Sequence, residues 1–210
     1  MASTKIGALV AGVLSATFTP ELARAATEQP HYTVLHREGA LELRRYAPRL
    51  AAETVVRGDE VSARNKGFQA IAGYIFGGNR SKTPIAMTAP VAQAKAEKIA
   101  MTAPVAQAPA ADGSWRVQFF MPAKYTRETL PTPNNPDVRI VELPGEQYAV
   151  LRFSGLAGRG AVAARTKELS ARAAAMGWKV TGAPVVWFYD PPWTLPPMRR
   201  NEVAVPVAAS

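Results

Sequence analysis

The feature that most constrains the fold is an order of secondary-structure patterns that the sequence contains twice. Two strand patterns, one helix and two further strand patterns lie in residues 31–124, and the same order returns in residues 137–207 after the proline-rich connection 130–136. Neither half can bury its apolar surfaces well alone, because each has one amphipathic helix and a sheet with one apolar face. We therefore predict an α+β fold with one domain over residues 26–210, a distorted β-barrel built from two pseudo-symmetric halves with two helices packed outside.

Local signals define the elements of each half. A hairpin is predicted over 32–46 with Glu38 and Gly39 in its turn, and further strands over 51–57, 115–121, 138–143, 148–153, 184–189 and 202–207. Asp59 is expected to cap the first helix and Gly77 to stop it, and the second helix is expected over about 161–176. The predicted helix stripes are Val61, Arg64, Phe68, Ile71 and Ile75 on the first helix, and Val162, Leu169, Ala173 and Met176 on the second.

The segment IAMTAPVAQ occurs at residues 85–93 and again, unchanged, at 99–107. Its alternation predicts a strand with one apolar side in each copy, formed by Ile85, Met87 and Ala89 and by Ile99, Met101 and Ala103. Pro90 and Pro104 each remove a backbone donor, which favours an edge, a bend or a strand end at those points. A hairpin of the two copies is allowed by the linker between them. Met87 and Met101 suit the wall of a pocket for a large flat ligand, and they suit an ordinary core equally well.

Residues 1–25 have the pattern of a secretory signal. Lys5 precedes an apolar run over 6–14, and Ala23 and Ala25 flank Arg24 in a small-x-small cleavage site. We therefore expect an exported protein of the periplasm or the extracellular space, without a membrane-spanning segment once the signal is removed. The chain contains no cysteine, so disulfides, thiolate ligands and covalent haem attachment through cysteine are excluded.

The chain is basic. Its formal net charge is +9, and removal of a signal that carries Lys5 and Arg24 against Glu21 leaves +9 − 1 = +8. A positive chain favours anionic partners. We do not predict nucleic-acid binding, because the basic residues are scattered and no nucleic-acid motif is present.

Catalytic patterns are scarce in this sequence. There are two histidines, His31 and His36, and no nucleophile elbow, zinc-protease motif, phosphate loop or dinucleotide fingerprint. We therefore predict a binding protein and name no catalytic residue.

Four stretches together resemble the SOUL haem-binding protein family. They are the helix end GYIFGGN at 73–79, the IAMTAPV strip, the proline-rich middle, and the tail in which YDPP at 189–192 leads to RRNEV at 199–203. The landmarks occur in family order over roughly residues 31–207. The resemblance implies a distorted barrel of two repeated halves, and non-covalent binding of haem or related tetrapyrroles in an apolar groove along the first helix.

By position, the resemblance places Phe68, Ile71 and Ala72 against the ring, with Ile75 on the same stripe. The family's helix arginine, which is thought to meet a haem propionate, falls on Asn65, with Arg64 beside it. Either Arg64 takes that role or the protein lacks the anchor. A second basic position in the family's tail is occupied here by a segment without lysine, in which Trp193 can stack on a porphyrin face or plug the barrel end.

Iron ligation stays open at this stage. Haem iron is held by His, Met, Cys or Tyr, which leaves His31, His36, Met87, Met101 and the tyrosines as donors, or no protein ligand at all. The leading function is an exported carrier, scavenger or buffer of haem. The alternative is a sensor or interaction module that binds another apolar ligand or a protein, with incidental haem affinity.

Overall fold

The computed structural model describes residues 27–81, 96–191 and 193–208. Within them lie two α-helices, α1 (Glu60–Ile75) and α2 (Arg159–Ala175). The strands are β1 (Tyr32–Glu38), β2 (Leu41–Tyr46), β3 (Arg49–Arg57), β4 (Asn79–Arg80), β5 (Val105–Pro109), β6 (Ser114–Phe120), β7 (Thr132–Pro133), β8 (Arg139–Leu143), β9 (Glu146–Phe153), β10 (Val185–Phe188) and β11 (Asn201–Val207).

Nine of the described strands form one antiparallel sheet in the order β1-β2-β9-β11-β10-β5-β6-β3-β8, and β4 pairs separately with β7. The large sheet curls into a half-barrel, and its edge strands are β1 and β8. β1 carries an irregularity in its pairing with β2 between Val34 and His36. The α+β distorted barrel predicted from the sequence is therefore confirmed, whereas the division into one domain of two pseudo-symmetric halves stays a prediction.

Alternation along the strands separates an inner from an outer apolar layer. In β9, Ala149 and Leu151 pack outward beneath α2, whereas Tyr148 and Val150 face the inner cluster. In β6, Phe119 packs outward beneath α1, whereas Phe120 faces inward. α1 therefore covers the outer face of β3 and β6, and α2 covers that of β9 and β11. β5 and β10 lie between the parts of the sheet that the two helices cover, and we call their outer face the furrow.

Both ends of α1 follow the sequence signals. The Asp59 carboxylate accepts hydrogen bonds from the backbone N–H groups of Val61 (3.1 Å) and Ser62 (3.0 Å), which satisfies donors that have no partner inside the helix. Beyond Phe76, Gly77 adopts φ +119°, a conformation that glycine reaches without steric cost. The predicted cap and stop are therefore confirmed.

The sheet-facing stripe of α1 differs from the predicted one. Ala63, Gly67 and Ile71 are buried against the sheet, whereas Val61 is 46% exposed and Phe68 is 37% exposed. A Cβ atom on Gly67 would lie 2.6 Å from Cγ2 of Val117, so a small residue is what lets the helix approach the strands. On α2, Leu169 and Ala173 are buried as predicted, Val162 is partly buried and Met176 is exposed.

The strand predicted for the start of the second strip is wrong. Residues 96–104 are not in a strand, and β5 begins only after Pro104. The backbone of this segment does not bond to one neighbouring strand. Ile99 N donates to Ile75 O in α1 (3.0 Å), and Ala103 N donates to Glu28 O (2.9 Å). Ile99 and Ala103 are buried and Met101 is exposed, so the three do not share one face. The first copy, with Ile85, Met87 and Ala89, lies outside the described residues, as does the predicted signal.

Candidate functional site

The furrow between the helices has an apolar floor. Val105 of β5 pairs with Phe188 of β10 on one side and with Phe119 of β6 on the other. These three side chains therefore form a row across neighbouring strands on the outer face of the sheet. Above the row lies the flank of α1 that carries Arg64 and Phe68. We call the four residues Arg64, Phe68, Val105 and Phe188 the furrow face.

Arg64 and Phe68 contact opposite ends of this row. The Arg64 guanidinium carbon lies 4.6 Å from the ring centroid of Phe188. The Phe68 ring lies 5.3 Å from that of Phe119 at a tilt of 55°. Because residues four apart are neighbours on a helix surface, the furrow face presents a cation and a partly exposed aromatic ring side by side.

Arg64 makes no ion pair or hydrogen bond to any of the residues that the structure describes, although it is only partly exposed. Burial lowers its pKa, the neighbouring charge of Glu60 raises it, and the charge of Arg199 lowers it further. The two arginines therefore lie within electrostatic range of each other, and the Glu60 carboxylate is directed toward Arg159 at 3.9 Å. The furrow face thus carries positive charge that suits an anionic group.

An apolar loop follows Phe188 in the chain and adds exposed side chains. Trp193 is 83% exposed, Leu195 66% and Met198 67%. Arg199 belongs to the same turn, since its Nε donates to Thr194 O at 2.7 Å. Gly155 N donates to Pro196 O at 2.9 Å, which brings the exposed Leu156 beside this loop. Large exposed apolar side chains that lie together are typical of a surface that binds a protein, a membrane or a ligand.

The other residues predicted for the site lie in different surroundings. Ile71 and Ile75 are buried in the core beneath α1, Ala72 is half-buried, and Asn65 is exposed on α1. Met101 is exposed on the segment 96–104, in which Ile99 bonds to Ile75 at the C-terminal end of α1. Met87 lies outside the described residues. The structure therefore brings Arg64 and Phe68 together with two strand residues, Val105 and Phe188, that were not predicted.

The two histidines do not meet. His31 lines a cavity at one end of the sheet, whereas His36 in β1 packs edge-on against Trp178 with ring centroids 5.7 Å apart. Among the described residues, no group of three or more His, Asp or Glu side chains is arranged to hold a metal ion. The iron ligand therefore stays a prediction.

A buried charge network links β2 and β11. Glu202 is completely buried and accepts hydrogen bonds from Arg44, Arg200 and Tyr189. Burial alone raises the pKa of Glu202, but the hydrogen bonds and charges of Arg44 and Arg200 outweigh burial and hold its pKa below the ordinary value. Arg44 was missed, although a charge within an alternating strand was a signal for it.

The described part of the chain is an α+β protein, an antiparallel half-barrel with two outer helices. Solved structures of other proteins have a similar fold. The C-terminal domain of EcmrR matches with a TM-score of 0.57 at 11% identity, over 85% of this chain and 99% of that one. A hydrolase from Listeria innocua matches at 0.52 and 12%, over 88% and 94%. An uncharacterized conserved protein from the same organism matches at 0.51 and 13%, again over 88% and 94%. At such identities these likenesses show the fold alone.

The family is defined by sequence. The family model described as SOUL heme-binding protein matches residues 27–206, and the chain therefore belongs to the SOUL haem-binding family. A comparison with curated proteins gives no match. No helix in the described part of the chain is both long and apolar enough to cross a bilayer.

Proposed function

We propose that the protein binds haem or a related tetrapyrrole non-covalently on the furrow face, as an exported carrier, scavenger or buffer. Haem binding in general follows from the family, and its place on this chain is our inference. The observation that carries the proposal is the half-buried Arg64 guanidinium, which has no anionic partner among the described residues and lies beside the partly exposed Phe68.

The chemistry of the furrow face fits a flat dianionic macrocycle. A porphyrin offers an apolar ring and two propionates, and the furrow face offers aromatic side chains with Arg64 and Arg199 nearby. Burial of apolar surface contributes about 25 cal/mol per Å², and a charge-assisted hydrogen bond from arginine to a carboxylate adds orientation. The exposed Trp193 and Leu195 on the loop that follows Phe188 are proposed to cover the ligand from that side.

The test is a titration of the mature protein with hemin, followed by the Soret band, with iron-free protoporphyrin IX in parallel. If the furrow face recognises ring and carboxylates, both ligands bind, and Phe68→Asp weakens both. Phe76→Asp is the matched control, since Phe76 lies exposed at the C-terminal end of the same helix. Binding that is indifferent to Phe68→Asp would move the site elsewhere, and failure of both ligands to bind would overturn the function.

A different ligand class is the competing outcome. Native mass spectrometry on protein purified without added haem would detect a retained non-porphyrin molecule, which would favour a sensor or interaction module. Binding of hemin but not of the iron-free ring would require a protein ligand to the iron, and His31, His36 and Met101 would then be substituted in turn.

A further inference from the structure

A cavity lined by none of the furrow-face residues opens beside the end of β6. Its volume is about 620 Å³, within the range of about 300–1,000 Å³ that is typical of small-molecule sites. It lies where the start of β3, the end of β6 and the turn after β8 meet the N-terminal residues 28–31. Leu50, Phe120, Met121 and Leu143 provide apolar wall.

Arg49 lines this cavity, and its guanidinium has few hydrogen-bond partners. Its guanidinium carbon lies 4.8 Å from the ring centroid of Tyr46 and 5.0 Å from that of Phe120. Its Nε is buried and has no hydrogen-bond partner in the described chain. Nη1 lies 3.4 Å from the Ala47 carbonyl oxygen, which is beyond the usual range for a good hydrogen bond. The Tyr148 hydroxyl is a further polar contact of the Arg49 guanidinium. No carboxylate among the described residues lies within 4.0 Å of this cation.

The polar groups around Arg49 already have other partners. The Tyr148 hydroxyl, which helps to stabilise the arginine charge, donates to Glu146 at 2.6 Å. At the cavity wall, Glu28 accepts from Ala123 N at 2.7 Å, and Glu142 lies 3.5 Å from Arg127. Burial lowers the pKa of Arg49, and the nearby Tyr148, Tyr46 and Glu146 only partly offset that effect.

We propose that this cavity is a second binding site, which takes a small apolar molecule with a single carboxylate. The carboxylate would accept hydrogen bonds from the Arg49 guanidinium, and the apolar body would lie along Phe120, Met121 and Leu143. A partly buried cation held between two aromatic rings is preorganised for such a partner, because its position is fixed before the ligand arrives. Neither the site nor its ligand class depends on where haem binds.

The probe is dodecanoate, followed by calorimetry and by the rise in thermal midpoint that a ligand of the folded state produces. We expect one site for dodecanoate and none for dodecyltrimethylammonium, which has the same chain and the opposite charge. Arg49→Gln should weaken dodecanoate binding by about tenfold or more, because loss of a hydrogen bond to a charged group typically lowers affinity by about that factor. Arg127→Gln is the matched control, because Arg127 lines the same cavity and is already paired with Glu142.

Ala123→Trp gives a second variant, which narrows the cavity without removing a charge. The Ala123 side chain is exposed at the cavity wall. Loss of dodecanoate binding in a folded Ala123→Trp protein would therefore support the site even if Arg49→Gln failed to fold. Equal binding of the cationic probe would overturn the proposal, as would equal effects of Arg49→Gln and Arg127→Gln.

Competition separates this site from the haem site. We expect saturating dodecanoate to leave the hemin titration unchanged and Phe68→Asp to leave dodecanoate binding unchanged. Displacement of hemin by dodecanoate, together with sensitivity of both ligands to Arg49→Gln, would show a single shared site and would overturn the second one. Loss of hemin binding in Phe68→Asp with dodecanoate binding intact would uphold both.

Discussion

Arg44 and Glu202 form a bidentate ion pair in the interior, with Nη1 2.7 Å from Oε2 and Nη2 2.9 Å from Oε1. The pair joins β2 to β11, which are not neighbours in the sheet because β9 lies between them. Arg200 adds a second cation, 2.8 Å from Oε1. Glu202 therefore contacts two guanidinium groups, Arg44 also pairs with Glu42 at 2.6 Å, and the network links strands that share no ladder.

Removal of the Glu202 charge should be strongly destabilising. Glu202→Gln breaks the buried pair and leaves Arg44 with Glu42 as its remaining carboxylate partner, and the loss of a buried ion-pair partner typically costs about 3–5 kcal/mol. Urea unfolding near neutral pH measures the loss. Glu168→Gln is the control, since the exposed Arg165–Glu168 pair on α2 should contribute about 1 kcal/mol or less. Equal losses in the two variants would contradict a stabilising role for the interior network.

The same network predicts a dependence of stability on pH. The folded-state pKa of Glu202 is lowered, so its contribution is complete above the unfolded-state pKa of about 4.3 and is lost as the pH falls through the folded-state value. The difference in unfolding free energy between wild type and Glu202→Gln should therefore be constant near neutral pH and shrink in acid. A difference that grew in acid would give Glu202 the opposite sign of shift.

Two glycines of α1 should respond in opposite ways to alanine. In Gly67→Ala the new methyl would lie 2.6 Å from Val117, and such overpacking typically costs about 1–3 kcal/mol. That cost equals or exceeds the gain in helix propensity of about 1 kcal/mol, so we expect Gly67→Ala to lower the free energy of unfolding. Gly73→Ala meets nothing within 4 Å and should stabilise the helix by about 0.5–1 kcal/mol. Thermal unfolding of both variants decides the matter, and stabilisation by Gly67→Ala would refute the close approach.

The Asn79 side chain bonds the C-terminal end of α1 to the backbone at Glu97. Nδ2 donates to Tyr74 O and to Glu97 O, both at 2.8 Å, and Oδ1 accepts from Glu97 N at 3.0 Å. Asn79→Asp replaces the donor with a second acceptor that faces two carbonyl oxygens, so we expect a loss of roughly 3 kcal/mol, larger than the loss in Asn79→Ala. Chemical denaturation compares the two, and a milder effect of aspartate than of alanine would contradict this geometry.

Arg64 should contribute to tetrapyrrole affinity if the furrow face is the site. Arg64→Gln is expected to weaken hemin about tenfold, from the loss of a charge-assisted hydrogen bond. Lys66→Gln removes the same charge from an exposed position two residues away and controls for general electrostatic attraction. If both variants weaken hemin binding equally, and if this weakening becomes smaller as salt is added, the arginine acts by long-range attraction rather than by contact.

The sequence predicted the elements well and the furrow only in part. Periodicity and caps placed both helices within two residues of their observed bounds, because Asp59 and the terminal glycines act locally. Periodicity could not say which side of α1 meets the sheet, since the small residues Ala63 and Gly67 face it while Phe68 lies at the flank. Val105 and Phe188 lie far apart in the chain, and only strand pairing makes them neighbours.

Among the described strands, the large sheet has two edges, β1 and β8, and both discourage the addition of a further strand from another molecule. β1 departs from regular pairing between Val34 and His36, and such irregularities bend an edge away from a flat partner. β8 has five residues and carries Arg139 and Glu142, so a strand laid against it would bring charged side chains together along a short contact. A protein with these edges can remain unpolymerised at high concentration even though its barrel is not closed.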